Sequence, residues 1–317
     1  MKNLFKKINL DTIINIDKID SSQNKVYKVT TKDNLYIVKE YSKDAIKDES
    51  ELKLRKEQIN VSKILNDNGI PTIIPIEFEN EYFIKHNDNY YLIYYYFNYD
   101  ILQEKEVKIN HIKLLSETLA KIHNLNIKCI DKIQYKYINI NLDFYLNKFN
   151  EKKEMKNLYN IIYLNKNKLI NLIKECNDSI PIVYKDLCIS HNDYKLKNIL
   201  WKNNKLYLID FDATSLANPL VSLAESAFSL SKIDGVININ YYEEFIKNYL
   251  KNYYNSKINY DIALKCAMNG KLQWLKYLLD NNLEFSTKIN DSIEMIKELI
   301  LYINYQDTFL NIYNKLI

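Results

Sequence analysis

Two segments, CISHNDYKLKNILW (188–201) and KLYLIDFDAT (205–214), concentrate polar side chains beside strongly apolar runs. They hold His191, Asn192, Asp193, Lys195, Asn198, Asp210 and Asp212, and none of the chain's three glycines. Asp193 precedes Asn198 by five residues, and the extended run KLYLID delivers Asp210 soon after. Carboxylates at strand ends plus an amide are hard oxygen donors of the kind Mg²⁺ accepts, an ion that keeps several waters and borrows phosphate oxygens. One further carboxylate beside such a metal, but free of it, can accept a proton from a hydroxyl. These are the parts of phosphoryl transfer, whose catalysis is mostly positioning and charge neutralisation. Taken singly, each residue is an ordinary turn or cap residue. The joint occurrence of HxD, an Asn five residues on, and IDFD after a hairpin is what points to chemistry.

Transfer from a nucleotide also needs a cation on its phosphates. Lys39 in YIVKEY lies late in the third expected strand, and the order strand, lysine, helix, glutamate matches a strand lysine fixed by a helix carboxylate. Glu57 is the choice for that carboxylate, one turn before Val61 on the expected buried face, with Glu49 and Glu51 as competitors. Lysines elsewhere in this lysine-rich chain read as a solvated face.

The elements that must position these groups change character along the chain. DTIINI, KVYKVTT and NLYIVKEYS carry the β-branched and aromatic content of strands, with KDN as a tight turn between the last two. A charged stretch follows, and then EQINVSKILNDNGIP reads as a helix ended by Gly69 and Pro71. TIIPIEF, YFIKH and NYYLIYYYF resume the strand pattern. From about residue 108 helical spacing takes over, with Ile112, Leu115, Leu119 and Ile122 on one face. Further helices are expected at 141–176, 218–232, 240–254, 258–284 and 287–316, interrupted by the extended runs NILW and LYLID. The pattern predicts an α+β protein with a β-rich N-terminal lobe, 1–97, and a mainly helical C-terminal lobe, 98–317.

Composition narrows the class. The net charge of +4 is spread among interleaved acids, without the basic stripe that nucleic acid requires, so no nucleic-acid partner is expected. No run of eighteen apolar residues is present, so no membrane span is expected, and the N-terminus lacks the pattern of a signal peptide. Cys129, Cys176, Cys188 and Cys266 are far apart and form no CxxC pair, which argues against zinc and disulfides and fits a cytoplasmic protein. The abundance of Lys, Asn, Ile and Tyr matches AT-rich coding, and Arg55 is the sole arginine.

SHNDYKLKNILW resembles the HGDxxxxN catalytic loop of the aminoglycoside phosphotransferase and choline kinase superfamily, and LIDFDA resembles its metal-binding strand. SSQNKVYKV is similar to its nucleotide loop, SETLAKIHNL to its LAxLH helix, and ANPLVSLAESAF to the segment after the metal site. The resemblance implies a protein kinase-like bilobal fold and an ATP- and Mg²⁺-dependent kinase, with GTP left open. It implies Asp193 as catalytic base, Asn198 and Asp210 as metal ligands, and Lys39 on the α/β-phosphates. His191 would brace the loop, Asp212 would support the metal ligands, and Lys195 matches a protein-kinase lysine on the transferred phosphate. Ser22 and Asn24 would line the phosphates, and the backbone of a hinge from Tyr94 through Tyr95, Tyr96 and Phe97 would meet the adenine. The acceptor would be the hydroxyl of a small molecule, aminoglycoside-like or a sugar, with antibiotic resistance as one role and a monomer or homodimer as the working form. Glu225, Asp234, Glu243 and Glu244 could make its site acidic. Choline or ethanolamine is the alternative, caged by Tyr241, Tyr242 and Trp274, and a nucleotide-binding pseudokinase scaffold is the non-enzyme reading.

Three positions depart from the family pattern. The phosphate loop SSQNK has no glycine, which restricts how its amides approach phosphate. Ser222 stands where an Asp is common, and Lys195, two residues after Asp193, is similar to a lysine of protein kinases; against a protein kinase, Asp212 replaces the glycine of DFG and no APE segment follows.

Overall fold

A computed structural model describes residues 1–19, 24–253 and 258–317. The chain forms two compact units, Met1–Leu102 with Lys197–Ala213, and Gln103–Leu196 with Thr214–Ile317. The first begins with a short helix α1 (Lys2–Lys7), then strands β1 (Ile13–Ile19), β2 (Lys25–Thr31) and β3 (Leu35–Tyr41). Helix α2 (Glu49–Asp67) follows, and strands β4 (Ile84–His86) and β5 (Asn89–Tyr95) complete an antiparallel sheet of order β1-β2-β3-β5-β4. Alternation puts Val29, Tyr36, Val38, Tyr91 and Ile93 on one face, where they pack with Leu4 and Phe5 of α1. The other face buries Tyr41 and Leu92 with Leu52 and Ile59 of α2.

Helix α2 starts eight residues earlier than its apolar pattern predicts, because Asp48 caps it, its side chain accepting from the amides of Ser50 and Glu51. Its buried residues are Leu52, Gln58, Ile59, Val61, Ser62 and Leu65. Glu57 falls at the edge of that stripe, half-buried, with Lys53 for its ion-pair partner at 3.8 Å. The TIIPIEF segment forms no strand. Pro75 within it and Pro71 just before it cannot donate to a ladder, and it makes only isolated bridges, Thr72 with Leu208 and Phe78 with Glu81.

The second unit opens with α3 (Ile109–Asn124), α4 (Leu142–Asn150), α5 (Lys156–Val183) and the short strand β6 (Cys188–Ser190). The chain then gives the first unit a hairpin, β7 (Ile199–Lys202) and β8 (Lys205–Leu208). It returns through β9 (Ser215–Ala217), which pairs antiparallel with β6, into α6 (Pro219–Ser231) and the small hairpin β10 (Lys232–Ile233) and β11 (Val236–Ile237). Helices α7 (Ile239–Asn252), α8 (Tyr260–Cys266), α9 (Asn269–Glu284) and α10 (Ile289–Leu316) complete it. Leu115, Leu119 and Ile122 of α3 are fully buried, as are Leu220 and Leu223 of α6. Each such side chain contributes about 1.5–3 kcal/mol relative to leaving it in water. The expected helix 258–284 is broken between Cys266 and Asn269, and 141–176 splits into α4 and α5. No described helix is long and apolar enough to cross a membrane.

With so few glycines, asparagine and aspartate take most of the left-handed positions. The β7–β8 turn uses Asn203 and Asn204 at φ 51° and 59°, the two positive dihedrals that a type I′ hairpin needs. Asn87 and Asp88 do the same between β4 and β5. Short polar side chains tolerate this region better than any but glycine.

Candidate active site

In the first unit, β3 carries Lys39 towards the segment after β8. Its Nζ donates to Asp210 Oδ1 at 2.7 Å and to Asp212 Oδ2 at 2.8 Å. Tyr41 OH donates to Asp212 Oδ1 at 2.7 Å and Asn24 Nδ2 to Asp212 Oδ2 at 3.0 Å. Burial by itself would push the pKa values of Lys39 down and of Asp212 up. Their mutual attraction, helped at Lys39 by Asp210 and at Asp212 by Arg55, outweighs it, so Lys39 is raised and Asp212 lowered. Both stay charged at neutral pH. Asp210 sits at φ 62°, a conformation that turns the chain sharply after β8.

Asn198 is buried just before β7, its carbonyl accepting from the amide of Ile209, the residue before Asp210. An amide and a carboxylate are suitable donors for Mg²⁺, which would draw its remaining ligands from water and phosphate. The described residues contain no cluster of three or more His, Cys, Asp or Glu able to hold a metal. The register of the sheet adds Val26 and Ile37, which the motifs do not single out, beside Tyr94 of the expected hinge. Ile19, Val26 and Lys39 pair directly across strands, as do Lys28, Ile37 and Tyr94 in the next row, so Val26, Ile37 and Tyr94 share Lys39's face. Period-two counting from Lys39 would have found them. Tyr96 gives its amide to the Leu35 carbonyl at 2.8 Å, while the side chains of Tyr95 and Phe97 are exposed. Ser22 lies outside the described residues.

Glu57 and Lys39 are not brought together. The carboxylates on Lys39 come from the IDFD segment, and α2 contributes Arg55 and Gln58 instead, both donating to the Asp212 carbonyl at 2.8 Å. The sequence signal for this was present in Arg55 as the chain's lone arginine, one turn before the buried Ile59.

The second unit holds the HND loop. His191 is 1% exposed and packs edge-on against the Tyr194 ring, with centroids 6.1 Å apart. Asn192 has φ 58°, the reason glycine or asparagine suits this position. Its Nδ2 donates to the Ser215 carbonyl at 3.2 Å and to Ser215 Oγ at 2.8 Å, tying the loop to β9. Tyr194 OH donates to the Leu115 carbonyl of α3 at 2.9 Å. Asp193 is thereby held with Lys195 Nζ 2.6 Å from its Oδ1. Burial would lower the Lys195 pKa, but Asp193 and then Glu225 outweigh it and raise it. Glu225 on α6, deep beside Lys271, Lys195 and Asp193, has its own pKa raised by burial.

Ser222, standing for the family's Asp, still anchors the loop. Its Oγ lies 2.7 Å from Ser190 Oγ, just before His191, and His123 Nε2 lies 3.2 Å from that same Ser190 Oγ. His123 Nδ1 in turn meets Tyr249 OH at 2.6 Å. The other acids of the expected acidic acceptor cluster do not join Glu225 in one group. Asp234 pairs with Lys105 in the β10–β11 turn, and Glu244 with Lys113 and Asn248 on α7, the helix that also carries Glu243. The aromatic cage does not assemble either. Tyr242 is fully buried against Phe309, Tyr241 OH donates to the Val107 carbonyl, and Trp274 stacks on Tyr277.

The sequence profile of the phosphotransferase enzyme family matches residues 16–256. The chain belongs to this family. This phosphotransferase has the protein kinase-like bilobal fold, a sheet-bearing N-terminal unit and a mainly helical one, and is a small-molecule kinase by class. It is similar in structure to spectinomycin phosphotransferase in complex with ADP and spectinomycin, at 13% identity and a TM-score of 0.68, covering 96% of this chain and 97% of that one. Amicoumacin kinase in complex with AMP-PNP, Ca²⁺ and Ami aligns at 14% identity and a TM-score of 0.61, over 92% and 88% of the two chains. Choline kinase from Streptococcus pneumoniae aligns at 16% identity and a TM-score of 0.55, over 94% and 98%. A search of curated protein sequences returned no significant match.

Proposed function

We propose that this phosphotransferase moves the γ-phosphoryl group of ATP, with Mg²⁺, to a hydroxyl of a small aminoglycoside-like or sugar acceptor. The observation that carries the reading is Lys39, which reaches across 171 residues of sequence to Asp210 and 173 to Asp212. It joins the cation needed by the phosphates to the strand end that bears the metal-donor carboxylate. Lys39 holds the α/β-phosphates and Val26, Ile37 and Tyr94 offer an apolar face to the base. Asn198 and Asp210 would hold Mg²⁺, which when bound neutralises charge on the β- and γ-phosphates.

Asp193 accepts the proton of the acceptor hydroxyl as that oxygen bonds to the γ-phosphorus. The bond from the γ-phosphorus to the β–γ bridging oxygen breaks, and ADP leaves with the electron pair. Lys195, paired with Asp193, offers its positive charge to the transferred group. Glu225, near Asp193 and Lys195, favours an acceptor that carries an amine close to its reactive hydroxyl. That spacing is common in amino sugars.

The test is ATP turnover against pooled aminoglycosides, amino sugars, plain sugars and amino alcohols, with product phosphorylation read by mass spectrometry. Transfer to an amino sugar or aminoglycoside is the expected result. Transfer to choline or ethanolamine alone would overturn the acceptor assignment, and Mg·ATP binding without any acceptor would favour a scaffold.

A further inference from the structure

Lys39 has two carboxylate partners, and they are held very differently. Asp212 is fixed at both ends: its carbonyl accepts from Arg55 Nη1 and Gln58 Nε2, each at 2.8 Å, and its carboxylate from Lys39, Tyr41 and Asn24. Arg55 Nη1 also bonds Gln58 Oε1 at 3.1 Å and lies 4.0 Å from Asp212 Oδ1. The Asp212 side chain is 21% exposed. Asp210, 39% exposed, bonds Lys39 alone among the described residues. Turning the Asp212 carboxylate away would break three hydrogen bonds, on a backbone that two more hold in place; turning that of Asp210 away breaks one. The acids of α2 are engaged elsewhere or exposed: Glu51 accepts from the Lys47 amide, Glu57 pairs with Lys53, and Glu49 faces solvent.

We propose that Asp212, clamped to α2 by Arg55 and Gln58, is the standing partner that positions Lys39 for the nucleotide phosphates. Asp210 is then the exchangeable partner, released from Lys39 when phosphates arrive and free to turn to their metal. A clamp from α2 to a backbone carbonyl, plus a carboxylate on the following turn, does the work of a helix glutamate. Arg55 is a positioning residue in this scheme, since it acts through Asp212 and touches no phosphate. The inference rests on the reading of Lys39 as the phosphate lysine.

Calorimetry with Mg·AMP-PNP and, separately, adenosine distinguishes phosphate positioning from general damage. Lys39→Met sets the benchmark. Asp212→Asn should weaken Mg·AMP-PNP by about 10- to 100-fold, the loss of one charge-assisted bond, and leave adenosine affinity as it was. Arg55→Gln should give a smaller loss with the same split, and Arg55→Lys should restore part of it. Equal loss for both ligands would mark a merely structural role and overturn the proposal. So would a loss in Glu57→Gln that matches Asp212→Asn. If Lys39→Met itself leaves Mg·AMP-PNP affinity intact, the reading of Lys39 has failed. If Lys39→Met weakens binding and Asp212→Asn does not, only the clamp has failed. Should Asp212→Asn not fold, Tyr41→Phe removes one bond to the same carboxylate, and an unchanged affinity there together with Arg55→Gln overturns the clamp equally.

Discussion

Asp193 and Asp210 are both carboxylates near a lysine, and the roles proposed for them, base and metal ligand, are separable by substitution. Asp193 lies in a loop pinned through Asn192 and Tyr194, with the Lys195 ammonium 2.6 Å from its carboxylate. Asp193→Asn keeps the shape and loses the proton acceptor, so transfer should fall by ~10²–10⁴-fold. Mg·ATP affinity, read by calorimetry, should hold, because Lys39, Asn198 and Asp210 are untouched. Full transfer in Asp193→Asn would remove it as the base. Asp210→Ala should do the reverse: it should weaken Mg·nucleotide binding as well as turnover, while Asp212 keeps Lys39 in place. Retained Mg·nucleotide affinity in Asp210→Ala would take that strand end out of the metal site.

Among elements, the turn between β6 and the rest of the HND loop is the most exacting. Asn192 combines a left-handed backbone with two hydrogen bonds to Ser215, so two physical roles meet in one side chain. Asn192→Gly keeps the backbone freedom and loses the bonds, a cost of about 1 kcal/mol. Asn192→Val adds a left-handed penalty of roughly 1–2 kcal/mol and crowds the turn. Urea unfolding should therefore rank wild type, then Asn192→Gly, then Asn192→Val. A valine variant as stable as the glycine variant would show that this backbone angle is not a constraint. The same logic explains why α2 begins where Asp48 can cap it rather than where its apolar stripe becomes regular.

At the scale of the whole molecule, acid stability should depend on one buried imidazole. His123 lies between Tyr249 OH and Ser190 Oγ, and burial lowers its pKa from 6.5 to about 3. The folded protein therefore keeps His123 neutral through a range in which the unfolded chain protonates it. The contribution is fully present above pH 6.5 and is lost as the pH falls towards 3. Between pH 7 and pH 5 it should cost about 2 kcal/mol. His123→Gln removes the titration, so the stability gap between wild type and variant, from urea midpoints, should narrow by that amount over the same range. A gap that stays constant would mean that His123 does not titrate as its burial requires.

The phosphotransferase class was legible in the linear sequence because the residues that suggest it stand at short separations: HxD, an asparagine five residues on, and IDFD after a hairpin. Strand and helix periodicity likewise declared the β-rich and helical parts, since burial of one face imposes a period of two or of 3.6 whatever the partner. What periodicity cannot carry is which of several polar groups near a face meets a given cation. Glu57, Glu51 and Glu49 all lay within reach of Lys39 by pattern, and Lys39 took Asp210 and Asp212 from far along the chain. The same holds for Tyr242 and Trp274, whose types fit a cation cage but whose packing partners, Phe309 and Tyr277, occupy their faces. Spacing in sequence fixes what a segment is able to do. Only the tertiary structure decides which distant groups share its space, because the choice between partners rests on a few kcal/mol of packing and desolvation that no local pattern records.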